Sequence, residues 1–157
     1  MSEFAIEARH FAHACRHGVL STLSQRVEGY PFGSVTPFML DDDGCPIILI
    51  SEIAEHTKNL KADARCSLIM QPFADDMQGT GRVTVIGQAT PLPDKDRLGP
   101  RYLQLFPQAA DYFALHDFGF WRIQPTRIRW IGGFGRIHWI EAEAWLNATP
   151  PSADLAP

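Results

Sequence analysis

The sequence predicts a mainly β protein with added helices, an antiparallel barrel rather than a βαβ series. Three observations predict it. About six or seven short apolar runs recur at short spacing, separated by turns rich in glycine, proline and acids. Helix-compatible stretches come only at the start, in the middle and late in the chain, not after every strand. The run Ile47, Ile48, Leu49, Ile50 is apolar on both strand faces, so it needs cover on both and belongs across the middle of the core.

Residues 2–16 read as a helix, with Phe4, Ala8, Phe11, Ala12 and Cys15 on one face. His10, His13 and His17 fall on the opposite face near Arg9 and Arg16, as a solvated or interface face rather than a metal site. Gly18 ends that helix, and 19–23 is a short strand. Residues 30–40 form a second strand, whose two prolines and glycine suit an edge, a bulge or close approach of a ligand. Asp41-Asp42-Asp43-Gly44 is a hairpin turn, and its glycine comes too early for a calcium loop of the EF-hand pattern.

After the central strand, Ser51 opens a polar segment and a helix runs from Glu55 to about residue 64. Ser51, His56, Thr57, Lys58 and Asn59 gather donors at this helix start. Free N–H groups and the positive end of the helix dipole suit an anion there, so one reading is a phosphate-binding corner. The other is a capped, solvated helix start. Residues 66–70 and 82–90 are further strands. In the second of these, Val83, Val85, Gly87 and Ala89 share one face, and Arg82, Thr84, Ile86 and Gln88 the more polar other face. Residues 94–106 are helical with a break at Gly99-Pro100, and 109–115 are a second short helix. Residues 117–131 read as two strands bent at Gln124-Pro125, with Arg127 and Arg129 on a common face. Such a pair suits bidentate anion recognition or a solvated face with ion pairs. Residues 137–145 close or cap the sheet.

The 157 residues suit one domain, 1–145, with a loose, proline-rich tail over 146–157. A net charge of −4 and a pI near 5.8 leave no basic field for nucleic acid. No apolar run approaches the roughly 20 residues of a membrane helix, and the N-terminus has no signal-peptide core. Cys15, Cys45 and Cys66 lack any CxxC pairing and read as reduced structural thiols of a cytoplasmic protein, with no metal site. No P-loop, GxSxG, HExxH or dinucleotide fingerprint is present, so any chemistry falls to a cofactor.

An ordered set of short motifs carries a resemblance over roughly residues 5–140. In order these are Gly18-Val-Leu-Ser-Thr, Tyr30-Pro-Phe-Gly-Ser, Leu49-Ile-Ser, Ala54-Glu-His-Thr-Lys-Asn-Leu, Ala62-Asp-Ala-Arg-Cys-Ser-Leu, Arg82-Val-Thr-Val-Ile-Gly, Arg101-Tyr-Leu, Asp117-Phe with Trp121-Arg122, and Gly132-Gly-Phe-Gly. The set resembles the pyridoxamine 5′-phosphate oxidase-like FMN-binding split barrels, nearest the branch associated with haem utilisation.

The resemblance implies a six-stranded Greek-key split barrel that forms a homodimer with FMN in the groove between subunits. It implies that Gly33, Ser34, Val35 and Thr36 run beside the flavin, and that Ser51, His56, Thr57, Lys58 and Asn59 meet its phosphate. Arg82 of the partner would lie near the flavin, with Trp121 bordering it. Arg127 matches a substrate-phosphate arginine, and Arg129 stands where that family has a substrate-site histidine. Gly33, Phe38 and Ile131 replace arginine or lysine of the vitamin B6 oxidases. Haem-degrading relatives are usually longer, with an additional C-terminal domain, and on the resemblance that domain is not expected here. The expected function is an FMN-dependent oxidoreductase acting on a small molecule. The alternatives are a non-catalytic haem- or flavin-binding module and a haem-degrading oxygenase of the same fold.

Overall fold

A computed structural model of the chain describes residues 2–115 and 117–148. Most of the expected tail, 149–157, therefore lies outside the described residues. Its first residues, Leu146 and Asn147, end a helix.

Helix α1 spans Glu3–Ala14, and the Ser2 hydroxyl accepts the Ala5 N–H at its start. It buries Ala5, Ala8 and Ala12, small residues that let the helix lie close to the sheet. It stops two residues short of the expected end. Cys15 is extended, and the Arg16 guanidinium donates to the carbonyls of His13 and Cys15. His17 therefore opens strand β1 (His17–Leu23) and does not share a helix face with His10 and His13.

The expected strand over 30–40 is two. Strand β2 (Pro31–Pro37) pairs only with β1, as an edge strand carrying prolines should. Beyond Phe38, whose N–H donates to the Arg16 carbonyl, strand β3 (Met39–Leu40) joins the far end of the sheet. The Asp41–Gly44 turn follows, with Gly44 at φ 87°. A Cβ there would also lie 2.6 Å from the Arg9 guanidinium, so glycine is required twice over.

Strand β4 (Pro46–Ser51) is buried from Pro46 to Ile50, as its two-faced apolar run predicts. Helix α2 (Glu55–Ala62) leads to β5 (Arg65–Met70), and β6 (Arg82–Pro91) to α3 (Lys95–Leu105). A 3₁₀ turn (Pro107–Ala109) and α4 (Ala110–Phe113) precede β7 (Phe118–Ile131). The chain ends with β8 (Ile137–Glu141) and α5 (Ala142–Asn147).

All eight strands form one curled antiparallel sheet in the order β2-β1-β5-β6-β7-β4-β3, with β8 also on β7. The count exceeds the expected six because the 30–40 segment divides and β8 adds itself. The inner face closes on Leu20, Phe38, Ile48, Leu68, Val85 and Ile128 together with α1 and α5. A second cluster covers the other face at one end only. There Met39, Ile47, Leu49 and Phe120 pack against Leu98, Tyr102 and Phe106 of the α3 region. Among the described residues, no helix lies on the outer face over β2, β1, β5, β6 and the C-terminal half of β7. No helix among the described residues is long and apolar enough to cross a membrane.

Candidate functional site

Two places collect the residues singled out in the sequence. The first is the start of α2. Thr57 is buried, and its hydroxyl donates to the Ser51 carbonyl at 2.6 Å. The Ser51 hydroxyl donates to Asp117 Oδ2 at 3.1 Å and accepts the Ile53 N–H. Asn59 is buried, donates to Thr22 Oγ1 and accepts the Gln25 N–H, each at 3.0 Å. His56 Nδ1 lies 3.3 Å from Ser34 Oγ, joining α2 to β2, and its Nε2 is buried with no hydrogen-bond partner among the described residues. Burial pushes the His56 pKa below its ordinary value, which keeps the ring neutral near pH 7.

Three carboxylates surround this corner. Asp117 holds the Ser51 hydroxyl, Glu55 pairs with Arg26 at 3.0 Å, and Glu52 pairs with Lys61. Lys58 points outward and is exposed. The donors that would cradle a phosphate are thus mostly spent on tying α2 to β1, β2 and β4. Trp121 is 4% exposed, opposite Ile48 and Pro91 in the ladders. It borders a hollow of about 510 Å³ that also meets Glu52, Asp94 and Asp96.

The second place is the bare outer face. Ladder registers set Val35, Val19 and Ile69 in one row that continues through Thr84 and Arg129 to Trp139. The next row runs Gly33, Ser21, Ser67, Ile86, Arg127, Glu141. Their chain neighbours Leu20, Leu68, Val85 and Ile128 fill the core, so strand alternation turns these side chains outward. Val35 is 73% exposed and Trp139 50%, an unusual cost for a surface with no partner.

The face is apolar at one end and cationic at the other. Phe73 and Met77 rim the apolar end, and with His17, Val19, Val35 and Ile69 they enclose about 130 Å³. At the other end the guanidinium carbons of Arg127 and Arg129 sit 5.1 and 4.9 Å from the Trp139 ring centroid. Arg127 pairs with Glu141 at 3.2 Å, while Arg82 and Arg129 pair with no carboxylate among the described residues. Of the predicted residues, Gly33, Val35, Arg82, Arg127 and Arg129 share this face. Ser34 turns through β2 towards His56, and Thr36 is buried. Sequence reasoning missed Val19, Ile69 and Trp139. The alternation of Ile137, Trp139 and Glu141 with His138 and Ile140 was the available signal.

A family described as "CREG, beta-barrel" matches residues 1–147. The chain belongs to the CREG β-barrel family. Among its curated relatives is the non-canonical, chloroplastic heme oxygenase HOZ of Arabidopsis thaliana, 42% identical over 118 residues, which are 74% of this chain and 36% of that one. The chain thus spans about a third of that relative. The heme oxygenase HutZ of Vibrio cholerae is 26% identical over 127 residues, covering 74% of this chain and 70% of HutZ. A heme-binding protein from Mycobacterium smegmatis superposes with a TM-score of 0.84 at 32% identity, over 96% of this chain and 62% of that structure. A putative pyridoxamine 5′-phosphate oxidase from Listeria innocua, at TM-score 0.66 and 16% identity, covers 83% of this chain and 100% of that one. It shows the split-barrel fold alone.

These family members correct the cofactor. FMN was expected from the resemblance, but HOZ, HutZ and the Mycobacterium smegmatis protein are named for haem and not for flavin. At the α2 corner the Ser51 and Thr57 hydroxyls are engaged within the protein, and Glu52, Glu55 and Asp117 lie beside them.

Proposed function

We propose that this protein binds haem on the bare face of its sheet and takes part in oxidative opening of the ring. The observation that carries the reading is the meeting, on one uncovered face, of an apolar strip and an arginine cluster. Haem is a flat apolar ring with two carboxylates at one edge. The ring suits Val19, Val35, Ile69 and Ile86, and the propionates suit Arg82, Arg127 and Arg129. Guanidiniums donate bidentately to carboxylates, and the Trp139 ring lies within cation–π distance of both Arg127 and Arg129 and helps hold them in place. Haem is the substrate in this reading. Its iron, supplied with electrons and dioxygen, oxidises its own ring, and the protein's part is to bind, orient and shield it.

The relatives support the same reading, since two are named heme oxygenases. A second copy of the chain covers what the ligand leaves open, giving a homodimer with a shared groove. The exposure of Val35 and Trp139 supports that arrangement.

The test is haemin titration followed by turnover. Binding predicts a shifted, saturable Soret band. Addition of ascorbate in air, with catalase present to remove free peroxide, predicts loss of that band and a bilin product. A protein that holds haemin unchanged under these conditions is a binding module, and the ring-opening half of the proposal fails. No saturable spectral change removes both halves.

A further inference from the structure

The cluster that haem binding leaves unexplained lies elsewhere, where the end of α1 meets α3. His13, Arg16, Arg101 and Gln104 wall a hollow of about 310 Å³ with Met39 and Leu105 at its floor. The volume is at the lower end of the range for small-molecule sites. Two arginines and a histidine border this one space. The Arg16 guanidinium lies on the exposed rim of the hollow, donating to the carbonyls of His13 and Cys15 at 2.9 and 3.2 Å, and among the described residues it meets no carboxylate. Among the described residues Arg101 meets only Asp42, at 3.2 Å, and that carboxylate is 92% exposed, so solvent screens the pair and it neutralises Arg101 only weakly.

We propose that this hollow is a binding site for a small carboxylate with an apolar body. The carboxylate takes the guanidiniums of Arg16 and Arg101, and the body rests on Met39 and Leu105. Gathering like charges around a concave apolar floor is unfavourable without an anion, and a bound carboxylate offsets it. The His13 ring reports that state of charge. Burial, then Arg101, Arg16, His10 and Arg9 hold its pKa below the ordinary histidine value. These are the charged groups that face it from α1, the α1–β1 link and α3, and Asp42 on the β3–β4 turn pairs with Arg101. An anion in the hollow cancels the contribution of the two arginines, so the His13 titration moves to higher pH.

The experiment uses the full chain without haem, so its outcome is separate from that of the haem titration. Benzoate, its neutral analogue benzamide and inorganic phosphate are titrated while the His13 ring resonances are followed by NMR. The expected result is saturable benzoate binding, a His13 midpoint raised in its presence, and neither effect with benzamide. Phosphate is expected to bind at least tenfold more weakly than benzoate. Arg101→Gln, on the surface of α3, is expected to weaken benzoate tenfold or more with haemin binding unchanged. The proposal is overturned if benzamide matches benzoate, if phosphate matches it, or if the His13 resonances do not respond.

Discussion

Arg9 shows how one buried charge can hold several parts of a small protein. It is 3% exposed, and its guanidinium donates to the carbonyls of Trp145 and Ala148 at 2.8 Å and of Asp42 at 3.3 Å. It thereby caps the end of α5, pins the β3–β4 turn and anchors α1 to both. Arg9→Met keeps the length but abandons those carbonyls, and is expected to cost about 2–4 kcal/mol of stability in urea unfolding. His56 gives a pH dependence. Its folded pKa is depressed by burial, so the unfolded chain binds a proton first. The stability it contributes is complete above the unfolded value of 6.5 and is lost as pH falls from there through the folded value. His56→Gln should flatten that slope. The same slope in both proteins, measured by unfolding across this window, would assign the effect elsewhere. The thiols take no part in this range, because burial pushes Cys45 and Cys66 up to about 12.

At the scale of elements, two prolines, Pro100 and Pro125, read as breaks and were accommodated instead. The sequence around Gln124-Pro125 suggests two strands, but β7 runs unbroken from Phe118 to Ile131. A bulge absorbs the irregularity: Ile86 and Gly87 of the neighbouring strand pair with Arg127 and Pro125, which leaves Thr126 of β7 as the extra residue. A Cβ on Gly87 would lie 2.1 Å from the Gln124 carbonyl oxygen. Gly87→Ala is therefore expected to destabilise by about 1–3 kcal/mol, through a backbone clash that thermal unfolding will register. Helix α3 likewise continues through Pro100, since Leu98, Gly99 and Tyr102 are buried and hold its backbone in place. Local chemistry fixed where these irregularities sit, but whether they end an element depends on neighbours distant in sequence. The strands themselves were legible because apolar alternation is a local signal, as Val83, Val85 and Ala89 show.

For the whole molecule, the curled sheet and the burial of β4 on both faces followed from pattern, although β4 lies next to the end of the strand order, and the uncovered face did not. Thr84, Ile86, Arg127 and Arg129 make a mixed face that reads the same whether water, a ligand or a second chain lies against it. The identity of the ligand was less legible still. Flavin phosphates and haem propionates both ask for cations beside apolar surface, and no motif in the chain separates them. The burial needed by Val19 and Val35 leads to a prediction of assembly. Val35→Glu should shift a dimer to monomer in light scattering, and an unchanged mass in the variant would place any dimer contact elsewhere.

The account rests on the outer face as the haem site, and the most direct measurement compares haemin affinity of the wild type with that of Arg127→Gln/Arg129→Gln. Both side chains sit on the surface, and each charge-assisted contact is worth about 1.5–3 kcal/mol. The double variant should keep its fold by circular dichroism and bind haemin at least tenfold more weakly. Equal affinity with the same Soret spectrum would contradict the account.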